Sequence, residues 1–166
     1  MPEELLILVD EEDNQIGVGE KQLVHEKGLL HRCFSLFIFN SRGELLLQKR
    51  ADGKYHCGGL WTNTCCSHPR DGETLERSIH RRLKEEMGFD CPMEEKFHFI
   101  YKSKFDNGLT EHEFDHAFVG KCDIVPEPDE DEVSAWQWIS IEKLKKDIKK
   151  NPHKYTPWLK IALERL

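Results

Sequence analysis

Leu75, Ile79, Leu83 and Met87 recur every four residues among charged neighbours, and Gly88 follows directly. Apolar residues at that spacing form one stripe of an α-helix, so the segment from Glu73 is a helix with one buried face. Gly88 can take the left-handed conformation that ends it. The stripe leaves Glu73, Arg81, Arg82, Glu85 and Glu86 for other faces. Two acids in the last turn oppose the helix dipole, a penalty of roughly 0.3–1 kcal/mol that pairing with Arg81 or Arg82, or a bound cation, would offset. Read alone, they are a solvated charged face. The turn before the helix, Trp61 to Pro69 (WTNTCCSHP), adds two adjacent thiols and an imidazole. Most reactive side-chain types therefore meet between Gly59 and Phe89, and the rest of the chain is expected to wall that stretch.

Those walls read mainly as strands. Leu5 to Val9 leaves into a polar turn and Ile16 to Lys21 returns as a hairpin partner. His31 to Asn40 (HRCFSLFIFN) is apolar almost throughout and fits a central strand, which Ser41-Arg42-Gly43 turns into a second strand over Glu44 to Arg50. After the helix, Lys96 to Phe105 and Thr110 to Asp123 flank Asp106-Asn107-Gly108, a strong hairpin signal. Pro126 to Glu132 reads as a solvent-facing acidic loop, Val133 to Ile139 as a last strand, Ser140 as the cap of a helix to about Lys150, and Thr156-Pro157-Trp158 as the opening of a final helix. No repeat or linker interrupts this order, so residues 1–166 are expected to form one α+β domain, a mixed sheet between helices.

Composition narrows the function. With 33% charged residues and no apolar run near the roughly 18 residues a span needs, no membrane association is expected. A net charge of −7 argues against a broad nucleic-acid surface, so the basic residues that matter should form a local anion pocket. Leu5 to Val9 is too short and acid-flanked for a signal peptide, which makes the cytoplasm the expected location; the oligomeric state is left open, with a monomer as the default. The cysteines at 33, 57, 65, 66, 91 and 122 do not form a secreted framework. They are expected to be reduced, with Cys33, Cys57, Cys91 and Cys122 serving as buried small hydrophobes.

Glu73, Arg81, Leu83, Glu85, Glu86, Gly88 and Phe89 stand in the register of the Nudix box, which the segment resembles with two departures: Ser67 replaces the opening glycine and Arg82 replaces the first glutamate of the helix-end trio. In Nudix hydrolases those carboxylates hold metals that activate water against a diphosphate. An arginine there exchanges a metal ligand for a planar fork suited to gripping a diphosphate oxygen. The W-T-N-x-x-C-x-H-P segment upstream makes the chain resemble type 1 isopentenyl-diphosphate isomerases, which share the Nudix fold, from about residue 5 to the C-terminus.

That resemblance implies a Nudix-type fold and an isomerase of isoprenoid biosynthesis that interconverts isopentenyl and dimethylallyl diphosphate by a 1,3-allylic double-bond shift. It implies a divalent metal (zinc, manganese or magnesium) on His25, His31, His68, Glu111 and Glu113, where the sequence alone offers only scattered candidates. His25 and His31 flank a loop, while Glu111 and Glu113 share one strand face. A second cation, magnesium carried with the diphosphate, is assigned to Glu86. Lys21, Arg50, Lys54 and Arg82 form the expected clamp. The reaction needs a proton donor and an acceptor on opposite faces of a carbocation-like centre, for which Cys66 stands on one side and Glu113, helped by Tyr101, on the other. Trp158, with Trp61 as a second candidate, offers a π face to the cation. No flavin is expected. Two other classes stay open: a Nudix hydrolase of a nucleoside diphosphate derivative, and a zinc-dependent binding module, which the absence of a C-x-x-C pair disfavours.

Overall fold

The computed structural model describes residues 4–54 and 57–166. The elements follow in the order β1 (Leu5–Val9), β2 (Gln15–Glu20), α1 (Lys21–Lys27), β3 (His31–Phe39), β4 (Glu44–Arg50), β5 (Trp61–Thr62), β6 (Cys65–Ser67), α2 (Leu75–Met87), β7 (Met93–Lys104), β8 (Thr110–Lys121), β9 (Val133–Ser140), α3 (Ile141–Lys150), a 3-10 turn (Pro152–Lys154) and α4 (Pro157–Leu163). The apolar strand β3 is central: it pairs parallel with β8 and antiparallel with β1, β4 and β6. The fold is therefore the expected α+β arrangement around a mixed sheet.

Side-chain alternation along β3 divides the core. Phe34, Leu36 and Ile38 join Ile79, Leu83 and Met87 of α2 on one face. Phe37 joins Leu144 of α3 and Trp158, Leu159 and Ala162 of α4 on the other. Leu83 has no exposed surface, and Leu83→Ala is expected to destabilise the fold by about 2–5 kcal/mol, measured by denaturant unfolding.

The helix starts two residues later than Glu73, because Thr74 is its N-cap and accepts the Arg77 amide at 3.2 Å. Glu73 instead receives Arg81 through two contacts of 2.7 and 2.8 Å. Gly88 ends the helix at φ 74°, and a Cβ there would stand 2.3 Å from the Glu127 carbonyl oxygen. That close approach reflects a second role for the acidic loop: the amides of Glu127 and Asp129 cap the carbonyls of Met87 and Glu86 at 2.9 Å each. Glu132 is consequently carried against Lys54, so the expectation of a wholly solvent-facing acid run fails at that residue.

Two further readings are corrected. Lys21 opens α1 rather than closing a strand, and because His25 lies on that helix the loop between His25 and His31 is shortened to residues 28–30. All six cysteines are free thiols, but Cys57 and Cys122 are only half-buried. Among the described residues, no helix is long and apolar enough to cross a membrane.

Candidate active site

The face of β3 that carries Phe37 also carries His31, Cys33 and Ser35, and parallel pairing sets them against β8, with His31 beside Glu113 and Cys33 beside Asp115. Strand β6 completes the surface, with Cys66 opposite Ser35. Adjacent residues of a strand point to opposite faces. Cys65 therefore enters the α2 side, where its thiol donates to Glu86 Oε2 at 3.1 Å, while Cys66 faces α4. Its sulfur receives Trp158 Nε1–H at 3.0 Å.

This face opens into a cavity of about 400 Å³. Its wall includes His25, His31, His68, Glu111 and Glu113, the whole expected metal set. Within it, ligand atoms of His25, His31 and Glu111 lie within 4.8 Å of one another, and Glu113 forms a similar group with His31 and Cys33. His68 is in the wall but turned aside, its Nε2 2.7 Å from a Glu4 carboxylate oxygen.

The donor set suits a cation. His25 Nδ1 lies 2.7 Å from the Lys21 carbonyl and His31 Nδ1 lies 3.0 Å from the Leu29 carbonyl. A carbonyl only accepts, so each Nδ1 carries the proton and each Nε2 keeps its lone pair for a ligand, the usual outer-sphere arrangement of metal-binding imidazoles. His25 Nε2 then faces Glu111 Oε1 at 3.0 Å, a contact between two acceptors that requires a proton or a metal ion between them. Burial opposes charge on His25, yet the Glu111 carboxylate outweighs it and raises its pKa. Burial pulls His31 down to about 4, which keeps it neutral near pH 7 as a metal ligand must be. Glu113 is pushed well above the ordinary carboxylate range by burial and then by the Glu111 charge, a burden that a cation would relieve.

The four cations of the expected clamp share this cavity wall. Arg82 reaches Glu85 at 2.7 Å and Glu86 at 2.9 Å, which supplies the pairing that the helix C-terminus required. Lys54 pairs with Glu132, and Lys21 lies 3.8 Å from Glu4. The Arg50 guanidinium stacks 5.5 Å from the centre of the Trp158 ring. Two expected residues stand behind the wall rather than in it. Glu86 is 3% exposed and held by Gln48, Cys65 and Arg82. Tyr101 is cross-strand from Glu113 and meets the Trp158 ring edge-on at 6.2 Å. Glu4, Glu132, Ser35 and Asp115 were not foreseen. Only Asp115 left a signal, as the third acid on the Glu111 and Glu113 face of one strand.

The fold and the altered glutamate helix define a Nudix protein: a family model described as NUDIX domain matches residues 29–159. A Deinococcus radiodurans crystal structure shares the fold at a TM-score of 0.81 and 22% identity, covering 98% of each chain. The chain belongs to the isopentenyl-diphosphate Delta-isomerase family. It is 49% identical to isopentenyl-diphosphate Delta-isomerase 2 of Aromatoleum aromaticum over 99% of this chain and 87% of that one. It is 52% identical to the Photorhabdus laumondii protein of the same name over 99% and 93%, and 50% identical to the Burkholderia multivorans isomerase over 98% and 93%.

Proposed function

We propose that this chain, acting as one domain, interconverts isopentenyl diphosphate and dimethylallyl diphosphate by adding a proton to the terminal methylene carbon and removing one from C2. The observation that carries this reading is the common cavity of Cys66 and Glu113, beside a cationic clamp and a His/Glu group. Cys66 works on one face of the five-carbon chain and Glu113 on the other, and Tyr101 is the residue assigned to help Glu113 by relaying a proton. Trp158, whose N–H steadies the Cys66 sulfur, lines the apolar end and excludes water from the reacting carbons.

His25, His31, His68, Glu111 and Glu113 would hold a divalent ion of zinc, manganese or magnesium, whose charge keeps Glu113 ionised and oriented. His68 must exchange Glu4 for that ion. Magnesium carried by the diphosphate would offset its negative charge, and Glu86, the acid assigned to it, must give up Cys65 or Arg82 to reach that ion. Lys21, Arg50, Lys54 and Arg82 hold the diphosphate itself. The need for these cations in a chain of net charge −7 supports their assignment to one anion.

Purified protein incubated with isopentenyl diphosphate and divalent metal is expected to yield dimethylallyl diphosphate without flavin. Absence of product from metal-loaded protein, or rapid phosphate release from nucleoside diphosphate derivatives, overturns the assignment. Arg82→Ala is expected to raise KM roughly 10- to 100-fold with a smaller change in kcat. A charged hydrogen bond of about 1.5–3 kcal/mol is lost from ground and transition states alike.

A further inference from the structure

Asn63 is fully buried and does not line the cavity, yet it touches the thiol at its centre. Its Nδ2 donates to two backbone carbonyls, Leu36 at 3.0 Å and Cys65 at 3.1 Å. Carbonyls accept only, so these bonds fix which end of the amide is nitrogen and leave Oδ1 on the other side. Oδ1 accepts the Thr62 hydroxyl at 2.8 Å, and Thr62 in turn accepts the Thr156 hydroxyl at 2.8 Å. Cys66 Sγ lies 3.1 Å from the same Oδ1. An amide oxygen has no proton to give, so the thiol proton points at it. The competing acceptor, Ser35 Oγ, is farther away at 3.7 Å, and its own proton goes to Asp115 Oδ2 at 2.8 Å.

We infer that Asn63 is a positioning residue for Cys66: its locked amide oxygen holds the S–H proton and sets the direction from which the thiol engages the substrate. The inference rests on the assignment of Cys66 to proton transfer. Trp158 Nε1–H pins the sulfur from another side, so rotation about Cβ–Sγ turns the proton between Asn63 and the cavity without moving the sulfur. Without the Asn63 acceptor, the thiol proton is left with only the more distant Ser35 hydroxyl, and orientation of that kind is worth up to roughly 10²-fold in rate.

The test reads the S–H stretch of metal-loaded protein by infrared difference, with Cys66→Ala identifying the band. In Asn63→Leu the band is expected to rise in wavenumber as its acceptor disappears, with kcat down roughly 10²-fold and KM within about two-fold, since the clamp is untouched. In the double variant Thr62→Val/Thr156→Val the band is expected to fall, because Oδ1 loses its other donor and binds the thiol more strongly. Replacing both hydroxyl partners by groups of the same shape leaves no buried donor stranded. A merely structural role for Asn63 predicts no such opposite shifts. An unmoved band, shifts of one sign in both variants, or unchanged kcat in a folded Asn63→Leu overturns the inference. If Asn63→Leu does not fold, the double variant decides alone. The band is read without substrate, so failure of this contact is distinguishable from failure of the isomerase assignment, which appears as absence of product from the wild type.

Discussion

Cys66→Ala is expected to lose roughly 10²–10⁴-fold or more in kcat, while Cys65→Ala is expected to keep most of its activity and lose stability instead. The two thiols are chain neighbours, but β6 sends one to each side of the sheet. Cys66 lines the cavity and receives the Trp158 N–H, whereas Cys65 is fully buried against Glu86. Removing Cys66 takes away the proposed proton-transfer group, and removing Cys65 takes away a hydrogen bond and a small volume, about 1 kcal/mol or somewhat more. Steady-state rates and denaturant unfolding of the two variants should therefore move in complementary ways. In deuterated solvent, the wild type is expected to place deuterium in the product methyl group. A dead Cys65→Ala beside a near-normal Cys66→Ala means that the other thiol is the reactive one, and product formed without solvent exchange removes the support for a two-group mechanism.

Chelation is expected to abolish turnover, and zinc, manganese or magnesium to restore it. Glu111→Gln should lower metal affinity by more than the roughly 10–100-fold that loss of an outer-sphere partner costs, because the carboxylate itself faces His25 Nε2 at 3.0 Å. Glu113→Gln is expected to be comparably severe in rate, since it removes the proposed acid–base group together with a proposed ligand. Elemental analysis of each variant separates the two causes. A Glu113→Gln protein with full metal content and lost turnover places the defect in proton transfer, and one that recovers at high metal concentration places it in binding. Full activity of wild-type protein shown to be metal-free contradicts the metal assignment altogether.

The helix and its end could be read without a structure, because a four-residue apolar period and a following glycine act through local geometry alone. Strand alternation likewise separated Cys65 from Cys66 and put Glu111 with Glu113. The resemblance carried the remaining site residues, and most of them do converge on one cavity. The helix of His25 escaped notice because its seven residues are too few to display a period. Long-range pairing was equally invisible. The parallel register of β3 with β8 sets His31 against Glu113 across 82 positions of sequence, and no local propensity encodes which strands become neighbours. The acidic loop misled for a related reason: its composition favours solvent, but capping α2 fixes its backbone and delivers Glu132 to Lys54. By itself the sequence determined the period of the longer elements, the opposite faces of Cys65 and Cys66, the shared face of Glu111 and Glu113, and the chemistry available. Only the tertiary structure decided which of those faces meet and that Asn63 presents oxygen rather than nitrogen to the thiol, because its amide nitrogen is held by the Leu36 carbonyl far back in the chain, whereas the nitrogen each imidazole leaves for a ligand is set by carbonyls close in sequence once α1 and the turn before β3 have formed.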